Sequence, residues 1–252
     1  MLQRLTIAVL LFSILAFAPK SGSQFLEDQL SYTKVKHVYE DRWPEVKAYL
    51  DFAGVNSAQY EVFIRGFKFE EDLELWAKDS TMDSFRLIKT YKWCTNVGVL
   101  GPKRKEGDKQ IPEGVYYMSQ FNPESAFHLS LKVSYPNKSD SILGYYPRLG
   151  GMIYIHGGCK SIGCIPIDDP NIEELYLFCM KARSSGQKNI PIHLFPARLN
   201  EGNFLLLQSQ FSDLKLVQFW SDLKEGYDIF EKTRSIPKTR IDNGGRYHFS
   251  EN

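Results

Sequence analysis

Apolar positions recur at two different spacings along the chain, and the spacings separate strands from helices. From Trp43 to Phe52 the run WPEVKAYLDF has helical character, with Pro44 suited to a first turn and Gly54 to a stop. Aromatic and β-branched residues then dominate YEVFIRGFKFEEDLELWAKD and SFRLIKTYKWC, which read as strands of a hairpin or meander. GPKRKEGDKQIPEGVYYM breaks the pattern as a long loop that enters a strand at Val115. FHLSLKVSYP alternates, with Phe127, Leu129, Leu131 and Val133 on one face and His128, Ser130 and Lys132 on the other. MIYIHGG reads as a buried strand that ends in glycines, and IPIHLFPARL as a further strand.

Helical spacing returns in DDPNIEELYLFCMKARSSG. Asp169 is the expected cap, Pro170 stands at the start and Gly186 lies past the end. Ile172, Leu175, Tyr176, Cys179 and Met180 form its apolar stripe, which makes Cys179 a core residue. Leu216, Phe219, Trp220, Leu223, Tyr227 and Phe230 predict another helix between Asp213 and Lys232, despite Gly226. The tail from Pro237 shows no pattern. These elements predict an α+β protein, mainly β, with peripheral helices.

The N-terminus is read separately. Arg4 precedes an apolar stretch from Leu5 to Ala18, and Ser21 and Ser23 fit a small-x-small cleavage rule that would leave Gln24 as the new terminus. This is the pattern of a secretory signal peptide, with an uncleaved anchor as the alternative. An exported protein is expected, with no integral membrane span once residues 1–23 are removed, since no other long apolar run occurs. A length of 252 residues suits one domain with additions or two small ones. The net charge of +1 argues against a nucleic-acid partner, which calls for a basic domain or stripe.

The chemistry is concentrated in IHGGCKSIGC, from Ile155 to Cys164. The chain has four cysteines, Cys94, Cys159, Cys164 and Cys179, and in an oxidising compartment an even count is compatible with disulfides. A structural metal would use His156, Cys159 and Cys164. The four residues between the two cysteines are the outer limit of zinc spacing and no matching pair follows, so neither metal nor cofactor is expected. A Cys159–Cys164 disulfide would close a very short loop. A nucleophilic reading is better motivated, with the metal and disulfide readings left open. A strand delivers His156, the turn SIGC presents Cys164, and an imidazole can take the thiol proton. Gly163 lets backbone N–H groups converge on an oxyanion. The alternative for His156 is a histidine that orients the turn through a backbone hydrogen bond.

Four ordered stretches carry a resemblance. GPKRKEGDKQIPEGVYYM, NPESAFHLSLKVSYPNKSD, GGMIYIHGG and CKSIGCIPIDD together resemble the L,D-transpeptidase catalytic domain family of YkuD type, and within it the YafK-like branch. The resemblance implies a mixed β-sandwich or barrel catalytic domain over 61–199, flanked by a helical segment (24–60) and a helical extension (200–252). It implies a peptidoglycan-modifying enzyme of the cell envelope or periplasm. There Cys164 forms an acyl-thioester with stem peptides, His156 acts as base and then acid, and N–H groups at Gly163 and Cys164 hold the oxyanion. An amine acceptor makes a transpeptidase; water makes an amidase or carboxypeptidase, with release of a peptidoglycan-linked envelope lipoprotein as one form. A non-catalytic peptidoglycan-binding or scaffold module is the alternative. The broader family keeps a histidine and an arginine where this chain has Ile162 and Pro166, and His156 stands only eight positions before Cys164. The cation for a substrate carboxylate is therefore sought among Arg148, Lys160 and Arg198. Ser161 and His128 are expected to face the substrate, His128 alternatively supporting His156. Cys159 is expected as a neighbouring thiol or as a redox partner of Cys164.

Overall fold

In the computed structural model, which describes residues 21–95 and 97–252, eight strands form one curled sheet. A meander of β1 (Glu61–Phe67), β2 (Asp72–Lys78) and β3 (Arg86–Lys92) leads into β4 (Gly114–Asn122) and β5 (Ser130–Val133). The short β6 (Tyr154–His156) and β7 (Ile165–Pro166) follow, and then β8 (Ile190–Phe195). Spatial order is β3-β2-β1-β8-β4-β5-β6-β7. The last strand thus lies between the meander and the central hairpin, parallel to β1 and antiparallel to β4. β6 and β7 are also parallel.

Period-2 alternation divides the core. On β1, Val62 and Ile64 join a large cluster with Ile172, Leu175 and Tyr176, whereas Phe63 and Phe67 face aromatics on the other side. On β8, Ile190, Ile192 and Leu194 face the large cluster, and Phe195 the second. Both faces are covered, so these strands read as apolar runs. Helices α1 (Gly22–Leu30), α2 (Thr33–Phe52) and α4 (Asp169–Ser184) cover the first side. α6 (Leu214–Thr233) covers the second through Phe219, Trp220, Leu223 and Tyr227. A short α3 (Lys138–Leu143), α5 (Glu201–Gln210) and a hairpin of β9 (Lys238–Ile241) and β10 (Tyr247–Ser250) complete the fold.

Several expectations are corrected. α2 begins ten residues before Trp43, at Thr33, so Pro44 lies inside the helix, where burial of Val35, Val38, Val46 and Leu50 outweighs its missing N–H. Asp168, not Asp169, caps α4, accepting from the Asn171 N–H. The patternless tail is a β-hairpin, legible only through its partner, because Phe249 fills the space left by Gly226 on α6. The strand expected from Phe127 begins only at Ser130, since His128 takes a left-handed φ of 66° that ends the alternation. The leader expected over 1–23 lies, up to position 20, outside the described residues, and its expected cleavage point falls in the first turn of α1. Among the described residues no helix is long and apolar enough to cross a membrane.

One buried ion pair fixes the long loop before β4. Lys68 Nζ lies 3.0 Å from Glu113 Oε1, with the side chains 1% and 0% exposed. Lys68 also donates to the carbonyls of Gly101 (2.7 Å) and Ile111 (3.2 Å). Glu113 in turn accepts from the Gly101 N–H and from Trp220 Nε1 of α6, both at 2.8 Å. Breaking such a pair leaves an uncompensated buried charge, at a cost of about 3–5 kcal/mol. Glu113→Ala should therefore lower the urea midpoint by that equivalent. The double variant Lys68→Met, Glu113→Leu should recover part of the loss, which unfolding curves of the three proteins would measure.

Candidate active site

β6 carries His156 out of the sheet and into a glycine turn, and β7 resumes immediately after Cys164. Their parallel register pairs Ile155 with Ile165 and His156 with Pro166. Cys164 falls one step before this pairing, level with Tyr154, so His156 and Cys164 are diagonal neighbours on adjacent strands.

His156 is 2% exposed, and its Nδ1 lies 2.5 Å from the carbonyl oxygen of Gly157. A carbonyl only accepts, so Nδ1 carries the proton and the Nε2 lone pair is left for chemistry. The Phe127 ring packs on the imidazole at 4.6 Å. Burial holds the His156 pKa below the ordinary imidazole value, with the Gly157 bond opposing the shift. The histidine thus orients the turn through Nδ1 and keeps an Nε2 lone pair.

Cys164 is half-buried, and its thiol faces the Met152 carbonyl at 3.5 Å. Burial pushes the thiol pKa up; the Tyr154 N–H and the nearby Lys103 ammonium pull in the other direction without cancelling it. The resting pair is therefore thiol and imidazole, not thiolate and imidazolium. Among the described residues no hydrogen bond joins Cys164 to His156.

The turn is locked from within. The Ser161 hydroxyl accepts from the N–H groups of Gly163 (3.1 Å) and Cys164 (2.8 Å) and donates to the Cys164 carbonyl (2.8 Å). Gly163 has φ 137°, and a Cβ there would stand 3.1 Å from the Gln110 carbonyl oxygen, so only glycine fits. Asp169, released from capping, accepts the Gly158 N–H at 2.7 Å. Four non-glycine residues with positive φ, Lys109, His128, Met152 and Asp168, lie on segments bordering this turn. Strain of this kind costs on the order of 1–3 kcal/mol per residue and clusters where geometry must be held.

The remaining expected residues are placed as follows. Arg148 and Lys160 are exposed, and among the described residues neither has an ion-pair partner. Arg198 is tied to Asp72 and Glu74 and is not free to meet a substrate. His128 Nε2 lies 2.7 Å from Glu173 of α4, which also pairs with Arg42 of α2. Cys159 is bonded to Cys94, which corrects its expected pairing with Cys164; Cys179 is a buried free thiol in the core. Sequence reasoning missed Cys94, Lys103, Phe127 and Met152. The only signal for Lys103 was a basic loop that reads as solvated surface. Among the described residues no group of three or more His, Cys, Asp or Glu is arranged to hold a metal.

A neutral resting pair makes a prediction. Alkylation of Cys164 by iodoacetamide should climb about tenfold per pH unit until the pH passes 9, the ordinary value from which this thiol is raised. A rate plateau from pH 5 to 8 would instead reveal a thiolate–imidazolium pair.

The chain is similar to known proteins. Residues 73–192 match the YkuD family, described as the L,D-transpeptidase catalytic domain. The Escherichia coli K12 protein named "Putative L,D-transpeptidase YafK" is 35% identical over 192 residues, 75% of this chain and 74% of that one. Among solved structures, the helical cell shape determining protein Pgp2 of Campylobacter jejuni aligns over 79% of this chain and 80% of its own, at 17% identity and TM-score 0.43. Bd1075 of Bdellovibrio bacteriovorus aligns over 69% and 61%, at 19% identity and TM-score 0.40. The identity and coverage shared with the E. coli protein place the chain in a family: it belongs to the L,D-transpeptidase catalytic domain (YkuD) family.

Proposed function

We propose that the protein is a cysteine-dependent enzyme that modifies peptidoglycan stem peptides in the cell envelope, with Cys164 as nucleophile and His156 as base. The observation that carries the reading is the tautomer of His156. Its Nδ1 proton is held by the Gly157 carbonyl, which leaves Nε2 as the acceptor on the strand adjoining Cys164. Family membership supplies the substrate class.

Because both groups are neutral at rest, the thiol proton passes to Nε2 as Sγ attacks the carbonyl carbon. The oxyanion is held by the N–H groups of Gly163 and Cys164 after it displaces the Ser161 hydroxyl, which both groups grip in the resting structure. Collapse breaks the C–N bond, the imidazolium protonates the departing amine, and an acyl-thioester remains on Cys164. An amine acceptor then forms a cross-link or attaches protein; water releases the acid. Hydrolysis of an amide to an envelope lipoprotein is one form of the second outcome. Arg148 and Lys160 supply cations for the substrate carboxylate, and residues 1–23 direct export. The catalytic unit is assigned to 61–199, with 24–60 and 200–252 supporting it.

Purified muropeptides, with and without a lipoprotein-derived peptide, should yield new product masses with the wild type and none with Cys164→Ala. Identical products from the two proteins would overturn the reading and leave a binding module. In the active enzyme the acid limb of kcat/KM should lie below pH 6.5, the ordinary imidazole value, since only neutral His156 accepts the proton and its pKa is depressed.

A further inference from the structure

The disulfide between Cys94 and Cys159 joins two parts of the sheet that the strand order places farthest apart. β3 and β7 are the two edges of the eight-stranded sheet. Cys94 lies two residues beyond the end of β3, and its N–H donates to the carbonyl of Pro166, in β7, at 3.0 Å. Its Sγ lies 3.3 Å from the Gly158 carbonyl oxygen, and its covalent partner Cys159 stands midway along the turn between His156 and Cys164. The curled sheet therefore closes upon itself at one residue, and the closure is covalent. The bond spans 65 positions of sequence and is anchored on the segment that presents the base and the nucleophile.

That turn has few other long-range ties. Gly157 N–H reaches the Leu129 carbonyl, Gly158 N–H reaches Asp169, and Gly163 leans on Gln110. Among the described residues, the cross-link at Cys159 is the long-range tie between Gly158 and Ser161. Removing it would leave a glycine-rich segment whose own hydrogen bonds centre on the Ser161 hydroxyl.

We infer that Cys94 and Cys159 are positioning residues for the reaction: their disulfide closes the sheet and holds the His156–Cys164 turn in its reactive geometry. The molecule thus needs opposite redox states at two cysteines of one turn, Cys159 oxidised and Cys164 reduced. The inference rests on the reading of Cys164 and His156 given above. Reduction adds two electrons and two protons to the Cys94–Cys159 bond and yields two thiols; with a phosphine reagent, the phosphine becomes the phosphine oxide.

The test compares the full chain oxidised, the same chain reduced with a phosphine under native conditions, and the double variant Cys94→Ser, Cys159→Ser. Three readouts are taken: muropeptide turnover, the pH midpoint of Cys164 alkylation resolved by peptide mass, and amide hydrogen exchange. Loss of the disulfide should lower kcat/KM at least tenfold, mainly through kcat. It should also move the Cys164 alkylation midpoint down toward 9, as the burial that raises it relaxes. Exchange should rise over 157–164 and at the end of β3, with β1, β2, β8 and α4 unchanged. Reductant should leave the double variant unaltered.

Turnover within twofold of the oxidised enzyme with an unmoved midpoint would overturn the inference. So would faster exchange throughout the sheet, which would make the bond a general staple. If no form turns over muropeptides, the proposed function fails, while the alkylation and exchange readouts still decide whether the bond positions the turn.

Discussion

The Lys68–Glu113 pair is the interaction on which the site depends, because it converts a polar, glycine-containing loop into a rigid wall. Two charges taken out of water are tolerated only if nearly every donor and acceptor is matched. Here the matching groups are the backbone at Gly101 and Ile111 and the Trp220 indole. The loop so fixed reaches the surroundings of Cys164 by three routes. Gln110 backs Gly163, the Lys103 charge bears on the thiol, and Arg104 and Glu106 exchange backbone hydrogen bonds with the segment from Tyr145 to Arg148. That segment leads to Met152, whose carbonyl faces Cys164. A charge pair at the end of β1 is thereby connected, through the loop it fixes, to the surroundings of the Cys164 sulfur.

Burial then acts on the two reactive groups in opposite senses. It disfavours whichever form is charged, so it raises the thiol pKa and lowers that of the imidazole. The ion pair that would make a freely reactive thiolate is suppressed in the resting site. In the proposed reaction, proton transfer becomes favourable as charge develops on an oxyanion met by backbone N–H groups. A half-buried, neutral thiol is also a poor target for oxidation, which follows thiolate character and exposure. That protection matters in a turn whose neighbouring cysteine is already in a disulfide.

The legible parts of the chain were those where local pattern and tertiary context agree. The meander, α4 and α6 were recoverable because their apolar spacing serves the face they bury. IHGGCKSIGC was recoverable because glycines, a histidine and a cysteine are needed within a few residues to build a turn that reacts. What escaped was set by partners distant in sequence. Cys94 carried no local sign of its partner, which only the approach of the segment after β3 to β7 reveals. Lys103 sits in a basic loop whose burial depends on Asp108 and the loop's own backbone. Phe127 reads as the first inward residue of a strand; a left-handed His128 lifts it out of the sheet and onto His156. Nothing local announces α5 or the final hairpin, because their apolar residues face elements that pattern alone does not reveal.

The departures from the wider family pattern follow from the same closure. Ile162, where that pattern resembles a histidine position, is 79% exposed and points into solvent beside the turn. Pro166, where it resembles an arginine position, is buried in β7 opposite His156. A proline on an edge strand offers a carbonyl and no N–H, so it can accept from one partner while refusing further strand pairing. Here that partner is Cys94. An arginine at this position would project a charge into the seam where the sheet closes, next to the disulfide. The buried proline thus serves the closure of the sheet and presents no charge there.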